Sequence, residues 1–247
     1  SSGLHFARSP YQHLSVLRVV AWMAALMGAI SLAGITPSLP VNTQTATLPT
    51  GYASHQLLSK PELVELRSAY ASHFDLGNGQ RLAVVGATPQ NYQDAQGHWQ
   101  PIQPEFTSID GGWRIVHNTL RSAFVSDSTA VQVESGGQVF GWQPLALEIN
   151  DDAGHAWELA VPQPGTAVQA EAMGTLLRYA NAWSDDTLVE QFESGADMLE
   201  QELILATAPD VAFEGDWLSL RVDLVLPAGI QIVANGQAQT SEFTTRG

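Results

Sequence analysis

Three residue types that can do chemistry come together in NYQDAQGHWQPIQ, where Asp94, His98 and Trp99 lie within six residues. A carboxylate and an imidazole can bind a metal ion, and a Trp ring can stack on a sugar. The order Asp, Gly, Trp recurs in DGGW (residues 110–113) and DDAGHAW (residues 151–157). Asp favours turns, Gly supplies a positive φ, and Trp packs well in a strand. A calcium loop needs further Asp or Asn residues, so we predict three hairpin turns.

Other catalytic and metal-binding motifs are missing from the sequence. No two His residues lie four positions apart, no His-Glu-x-x-His occurs, and there is no Cys, which disfavours zinc. The sequence also contains neither a Gly-x-Ser-x-Gly elbow nor a Gly-rich phosphate loop. We therefore predict no catalytic residue, no cofactor and no metal.

Carboxylates are numerous after residue 184, and a glycosidase would need two of them facing a cleft. In TLVEQFE, Glu190 shares a strand face with Leu188 and Phe192. Because carboxylates are rarely buried, we interpret Glu190 as solvated or ion-paired. The carboxylates of this region are Asp185, Asp186, Glu190, Glu193, Glu200 and Glu202.

Six Trp residues follow the apolar N-terminal segment. Such rings fill the core between sheets more often than they form a platform for sugars. We therefore predict core positions, with a sugar platform as the alternative. The six are Trp99, Trp113, Trp142, Trp157, Trp183 and Trp217.

The composition limits the partners. Among 247 residues, 45% are hydrophobic and 14% charged, and the formal net charge is −15. Such an acidic surface repels nucleic-acid phosphates and anionic lipids. We expect no nucleic-acid partner.

The N-terminal residues have the pattern of an export signal. Arg8 and Arg18 precede an uncharged apolar run at residues 19–35, which is short for a spanning helix. Small residues at Ser31 and Ala33 predict cleavage before Gly34, with an uncleaved anchor helix as the alternative. Residues 1–33 are thus a predicted signal peptide and residues 34–58 a Thr/Pro-rich linker. We expect a secreted or cell-surface protein without stable membrane insertion after cleavage.

Residues 59–247 are predicted to form a β-rich domain that continues beyond this stretch. Ser59 and Glu62 match a capping box, which favours a short helix through about Tyr70, while an extended segment is the competing interpretation. From Arg81 onward apolar residues alternate with polar ones, as in WELAV, LALEI and LSLRVDLVL. Turn signals separate these stretches. The pattern predicts an all-β fold, an antiparallel β-sandwich or stacked sheets.

The stretch LLRY contains a basic residue in this acidic chain. A strand there places Arg178 on the face opposite Leu177 and Tyr179. We expect Arg178 to meet a carboxylate of a neighbouring strand, either Glu200 or Glu202. The alternative is that its guanidinium binds an anionic ligand.

The order of these features resembles the N-terminal β-rich domain of bacterial secreted modular proteins, the DNRLRE-domain and Rhs/YD-repeat cell-surface proteins. The resemblance begins at ELVELRSAYASHFDLGNGQRLAVV and includes a "y-D-G-x-W-x-x-I" step and a later segment similar to "dlrY…v…lkE.ivL". It implies export, a β-rich fold and a position ahead of repeat or adhesive domains, and it implies no catalytic residue. The matching positions are Tyr92, Asp94, Gly97, Trp99, Ile102, Leu177, Arg178, Tyr179, Leu199, Glu202 and Leu205.

These features favour a non-catalytic extracellular structural or interaction module. A cell-envelope polymer, or downstream repeat domains of the same chain, would be its partner. The alternative is a carbohydrate-binding β-sandwich or a fragment of a carbohydrate-active enzyme. A row of exposed Trp residues beside a groove would favour that alternative.

Overall fold

A computed structural model describes residues 16–17, 60–151, 153–163, 165, 169–206, 217–234 and 237–239. The predicted signal peptide and linker lie outside these residues, except for the two residues at 16–17. The structure is built from strands and contains one turn of 3-10 helix at Val64–Leu66 within the described part.

The strands are numbered in chain order: β1 (Val16–Leu17), β2 (Ala71–Gly77), β3 (Gln80–Val85), β4 (Asn91–Gln93), β5 (Trp99–Pro101), β6 (Thr107–Ile109), β7 (Gly112–Ile115), β8 (Arg121–Val125), β9 (Val131–Ser135), β10 (Gln138–Asn150), β11 (Ala156–Ala160), β12 (Gln169–Met173), β13 (Leu176–Ala180), β14 (Leu188–Ser194), β15 (Leu199–Leu205), β16 (Trp217–Val225), β17 (Ile232–Ala234) and β18 (Gln237–Gln239).

Two antiparallel sheets contain most of these strands. The seven-stranded sheet has the order β11-β10-β9-β8-β7-β6, with β16 paired to β10. The five-stranded sheet has the order β1-β15-β14-β13-β12. The remaining strands form the hairpins β2-β3, β4-β5 and β17-β18. The predicted all-β antiparallel fold is therefore confirmed.

One hydrophobic core joins the two sheets. The ring of Phe124 on β8 packs edge-on against that of Phe192 on β14, with centroids 5.1 Å apart. Tyr179 on β13 packs against the same Phe192 ring, and its hydroxyl donates to the carbonyl oxygen of Val125 at 2.8 Å. All three rings are nearly or fully buried. The sheets are thus stacked face to face through inward-pointing residues at alternate positions.

The predicted alternation is interrupted where β10 changes register. The pairing with β16 shifts between Pro144 and Ala146, and both Ala146 and Leu147 are fully buried. Leu147 and Ile149 are buried and Glu148 is partly exposed, as the pattern in LALEI predicts, whereas Ala146, predicted for the wetter face, is fully buried opposite Arg221 of β16. On β11 the prediction holds only in part: Leu159 packs against the core and Glu158 is exposed, whereas Trp157 is 42% exposed and Ala160 is buried.

The apolar face predicted for LSLRVDLVL holds for only part of β16. Leu220 is buried, whereas Leu224 and Leu226 are about 40% exposed. Ser219, predicted for the wetter face, is buried and bonds to the Asn150 side chain of β10.

The helix predicted through about Tyr70 is wrong. Only Val64–Leu66 is helical, and no side chain caps that turn. Glu62 forms a bridge with Phe74 of β2, and its carboxylate accepts two bonds of 2.6 Å from Arg67. Because Arg67 occupies this carboxylate, Glu62 does not act as a capping-box residue. The competing extended interpretation describes most of the segment.

No helix in the described part of the chain is long and apolar enough to cross a membrane.

Candidate functional site

The Asp94 side chain is used to form a hairpin turn between β4 and β5. Its Oδ1 accepts bonds from the backbone N–H groups of Gln96 and His98 at 3.0 and 2.9 Å. Its Oδ2 accepts a bond of 3.0 Å from Nε2 of Gln100. Gly97 has a φ of +80°, which glycine adopts without strain. The turn prediction for this stretch is confirmed.

The two related stretches also form hairpin turns. Between β10 and β11, Asp151 accepts a bond from the backbone N–H of His155 at 2.8 Å, and its other oxygen lies 2.8 Å from the imidazole Nδ1. Between β6 and β7, Gly111 has a φ of +75°. The next residue, Gly112, is needed for another reason: a Cβ there would lie 1.9 Å from the Phe124 carbonyl oxygen.

The hydrogen bonds in these turns hold both Asp carboxylates in the charged form. The bond from Gln100, followed by those from the His98 backbone, lowers the pKa of Asp94. The contact with His155 lowers the pKa of Asp151 in the same way. The imidazoles of His98 and His155 are largely exposed. Within the described ranges no three His, Asp or Glu residues are grouped so that they could hold a metal ion.

The most unusual carboxyl of the described structure is that of Glu190 on β14. It lies on the inner face with Leu188 and Phe192, as the alternation predicts, and is fully buried. Its Oε2 accepts a bond of 3.0 Å from the indole Nε1–H of Trp183, and its Oε1 accepts a bond from Nε2 of Gln201. The prediction of a solvated or ion-paired carboxylate is therefore wrong, because two neutral donors bind it inside the core.

This network continues into the second sheet. The Oε1 atom of Gln201 on β15 accepts a bond of 2.9 Å from the indole Nε1–H of Trp142 on β10. Trp142, Gln201, Glu190 and Trp183 thus form one chain of buried polar contacts between the two sheets. We call these four residues the inter-sheet network. Buried polar groups need such partners, since an unpaired one costs stability.

Burial dominates the electrostatics of the inter-sheet network. Desolvation raises the pKa of Glu190 to about 8, although the bonds from Gln201 and Trp183 act in the opposite direction. Desolvation, followed by the charge of Glu190, also raises the pKa of the neighbouring Tyr179 hydroxyl far above its usual range. A carboxyl with a raised pKa is what a general acid requires. Here, however, both carboxyl oxygens are bonded to side chains of the core.

The Trp residues divide between the core and the surface. Trp142 and Trp183 are buried, as predicted, and belong to the inter-sheet network. Trp113 is partly buried and packs against the core. Trp157 is exposed and has a tilted contact with the His155 ring at 5.9 Å. All six Trp residues lie in the described part of the chain. They do not form the exposed row that would favour a sugar platform.

Arg178 occupies the predicted face but not the predicted contact. It is exposed, while Leu177 and Tyr179 are fully buried. Its cross-strand neighbours are Glu171 on β12 and Gln191 on β14.

Gln191 separates Arg178 from the predicted carboxylates. It pairs with Glu202 on β15 and donates a bond of 2.5 Å to that carboxylate. The predicted contact of Arg178 with Glu200 or Glu202 is therefore wrong, since one whole strand lies between them.

Sequence reasoning placed Glu190 on the face of Leu188 and Phe192 but missed its burial and its partners. Trp183 lies seven residues away, and Gln201 and Trp142 lie on other strands. Gln201 alternates with Leu199 and Leu203 on β15, all three buried. Glu190 and Gln201 are polar residues at inward positions of two neighbouring strands. That pattern is the signal that could have indicated their contact.

Comparisons with known proteins find no match to this chain. No family model matches the chain, and neither a curated protein nor a solved structure matches it significantly. The resemblance to DNRLRE-domain and Rhs/YD-repeat proteins therefore stays a prediction.

Proposed function

We propose that this chain provides a non-catalytic structural or interaction module of an exported modular protein. The observation that carries the proposal is the inter-sheet network. Its carboxyl has the raised pKa expected of an acid catalyst, yet both oxygens of Glu190 accept bonds from Trp183 and Gln201 within the core. A general acid must reach the proton acceptor of a substrate. A fully buried carboxyl is instead suited to fixing the register of two sheets.

The surface chemistry supports an extracellular interaction role. The net charge of −15 disfavours binding to nucleic acid and anionic lipid. The proposed partners are an uncharged or basic cell-envelope polymer and repeat domains of the same protein. The proposed location is the exterior of the cell, which the N-terminal pattern of Arg18, an apolar run and Ala33 favours.

The role of Glu190 can be tested with cell-envelope polymer as the substrate. We expect the wild-type chain and Glu190→Gln to release no reducing ends from purified peptidoglycan. Polymer hydrolysis by the wild-type chain that is abolished in a normally folded Glu190→Gln variant would contradict the proposal. It would favour the alternative, a fragment of a carbohydrate-active enzyme. Glu193→Gln, an exposed position on the same strand, is the matched control.

Export is tested separately by N-terminal sequencing of the secreted protein. Expression of the chain in a bacterium should give mature protein that begins at Gly34. Retention of the intact N-terminus in the membrane fraction would contradict this prediction and indicate an anchor helix.

A further inference from the structure

One edge of the seven-stranded sheet, formed by β16, has no partner in the described part of the chain. The strand pairs with β10 along its whole length, Trp217–Val225, and β10 is its one partner among the described strands. The other side of β16 therefore presents unpaired backbone N–H and C=O groups, to which a further strand can be added. We call this side the β16 edge.

The β16 edge lacks the features that usually protect an open strand. Edge strands are commonly short, or contain a Pro, a Lys or a bulge. β16 has nine residues and contains neither Pro nor Lys. The bulge beside it lies in β10, where the register shifts between Pro144 and Ala146, so β16 itself is continuous. Nothing within this strand therefore prevents a second strand from pairing with it.

The sequence of the β16 edge is complementary to itself when it is read in the opposite direction. The stretch LSLRVDLVL has Val222 at its centre. An antiparallel copy that pairs Val222 with itself places Leu220 opposite Leu224 and Arg221 opposite Asp223, each twice by symmetry. Opposite charges at facing positions stabilise a strand pair, and like charges destabilise it. The partner that fits this strand best is therefore a second copy of it.

The two charges also select the register. A shift of one copy by two residues would bring Arg221 against Arg221, or Asp223 against Asp223, depending on its direction. A shift by one residue would turn the apolar face of one strand toward solvent. The register centred on Val222 avoids both costs.

Both charged side chains are available for this contact. The Arg221 side chain is 40% exposed, and its Nε lies 3.1 Å from Oε1 of Glu148 on β10, which leaves its two terminal nitrogens for a further carboxylate. Asp223 is exposed and has no ion pair among the described residues. A second copy would supply the missing partner of Asp223.

The exposed leucine at the end of β16 is a further observation. Leu220 and Leu224 point to the same face of the sheet, yet Leu220 is buried whereas Leu224 is 40% exposed. In the antiparallel pair, Leu224 of each copy lies beside Leu220 of the other, at the margin of the core. Each copy thus covers apolar surface that the other leaves open.

We propose that two copies of this chain associate through the β16 edge, in an antiparallel strand pair centred on Val222. The seven-stranded sheets of the two copies then form one continuous sheet across a two-fold axis. One strand pair buries less surface than a standard protein interface, so the dissociation constant should be in the micromolar range. This inference does not depend on the proposed function.

Sedimentation equilibrium of the full chain over a concentration series measures this association. Hydrogen exchange on the same samples should show stronger protection of the amides of residues 218–225 as the dimer forms. A chain that stays monomeric up to ~1 mM would overturn the proposal. Protection of these amides in the monomer would also overturn it, and would indicate that another segment of the same chain covers the edge.

Two charge variants test the register. Asp223→Arg places a positive charge opposite Arg221, and Arg221→Asp places a negative charge opposite Asp223. Each variant alone should dimerise at least ~10-fold more weakly than the wild-type chain. An equimolar mixture of the two should form a heterodimer of about wild-type affinity, because opposite charges face each other again at both positions. Glu193→Arg, at an exposed position of β14, changes the net charge as Asp223→Arg does and should leave the dimer unchanged.

The outcomes of these variants are distinct. Unchanged dimerisation of Asp223→Arg would show that the copies meet at another surface. Failure of the mixture to recover affinity, with both variants folded by circular dichroism, would show that the register is wrong. If Arg221→Asp does not fold, because its contact with Glu148 is lost, Leu224→Lys replaces it. That position is exposed in one copy and faces Leu220 in the pair, so the variant should also weaken dimerisation at least ~10-fold, and full affinity would overturn the proposal.

Discussion

The carboxyl groups of Asp94 and Glu190 make similar hydrogen bonds in opposite surroundings. Each accepts bonds at both of its oxygens. The donors to Asp94 belong to its own hairpin at the surface, and they lower its pKa. The donors to Glu190 lie in the core, where desolvation outweighs them and raises its pKa. Burial, more than the number of hydrogen bonds, therefore decides which protonation state each site favours.

The largest expected effect comes from removing the buried carboxyl. Glu190→Ala leaves the indole of Trp183 and the amide of Gln201 without partners and opens a cavity. Each unpaired group and the cavity destabilise the fold, so we expect the free energy of unfolding to fall by about 3–5 kcal/mol. Urea denaturation measures this change.

The matched control for this variant is Glu193→Ala, at an exposed position of the same strand. It should change the free energy of unfolding by less than about 0.5 kcal/mol. Equal effects of the two substitutions would remove the distinction between buried and surface carboxyls.

The second effect is a pH dependence of opposite sign to that of the turn carboxylates. The pKa of Glu190 rises from 4.5 to about 8 on folding, so the folded state binds more protons within this window. The contribution of Glu190 to the free energy of unfolding is fully present below pH 4.5. It is lost as the pH rises toward 8, and the loss is on the order of 2–4 kcal/mol. Asp94 and Asp151, with lowered pKa values, lose their contribution only at lower pH.

Urea denaturation at a series of pH values tests this dependence in the wild-type chain and in Glu190→Gln. The variant cannot ionise at this position and should lack the decline between pH 4.5 and 8. An identical decline in both proteins would assign it to other groups.

A smaller effect is expected at the hydroxyl of Tyr179, the cross-strand neighbour of Glu190. Tyr179→Phe removes the bond to the Val125 carbonyl oxygen and keeps the ring that packs against Phe192. We expect a loss of about 1 kcal/mol in the free energy of unfolding. Tyr70→Phe is the control, since Tyr70 is 49% exposed and should show no change. A loss that is as large in the control would exclude a special role for this inter-sheet bond.

The smallest effect is expected at the surface turn. Asp94→Ala removes an acceptor from donors that can bond to water instead, so the melting temperature should fall by only a few degrees. Asp94→Asn keeps one acceptor oxygen, so its melting temperature should fall less. Differential scanning calorimetry compares the variants. A marked stabilisation of the wild-type chain by calcium, or unfolding by a chelator, would show that Asp94 binds a metal.

The difference between these sites also explains what could be predicted from the sequence. The turn at Asp94 depends on residues up to Gln100, all within one hairpin, so its type and position follow from local residues. The alternation on β14 likewise placed Glu190 on the face of Leu188 and Phe192, but the burial of its carboxyl was not predicted. Its bonding partners depend on strand order, which brings Trp142 on β10 toward Gln201 on β15. No local pattern contains that pairing.

The remaining errors have a similar cause. Ala146 is buried opposite Arg221 of β16, a pairing that the alternation in LALEI does not contain. The expected partner of Arg178 was wrong because the order of strands places Gln191 beside it. A period-two pattern gives the face of a residue, whereas its neighbours depend on how the sheet is assembled.

The pairing of β10 with β16 has a consequence for the order of events during synthesis. Asn150 of β10 pairs with Trp217 of β16, so the ribosome completes β10 well before its partner exists. Closing such a long connection is entropically unfavourable, and sheets with distant pairings fold slowly. Until residues 217–225 have been made, one edge of the longest strand stays open to other chains. A nascent chain stalled before this point would therefore be prone to aggregation, and a chaperone that covers β10 would protect it.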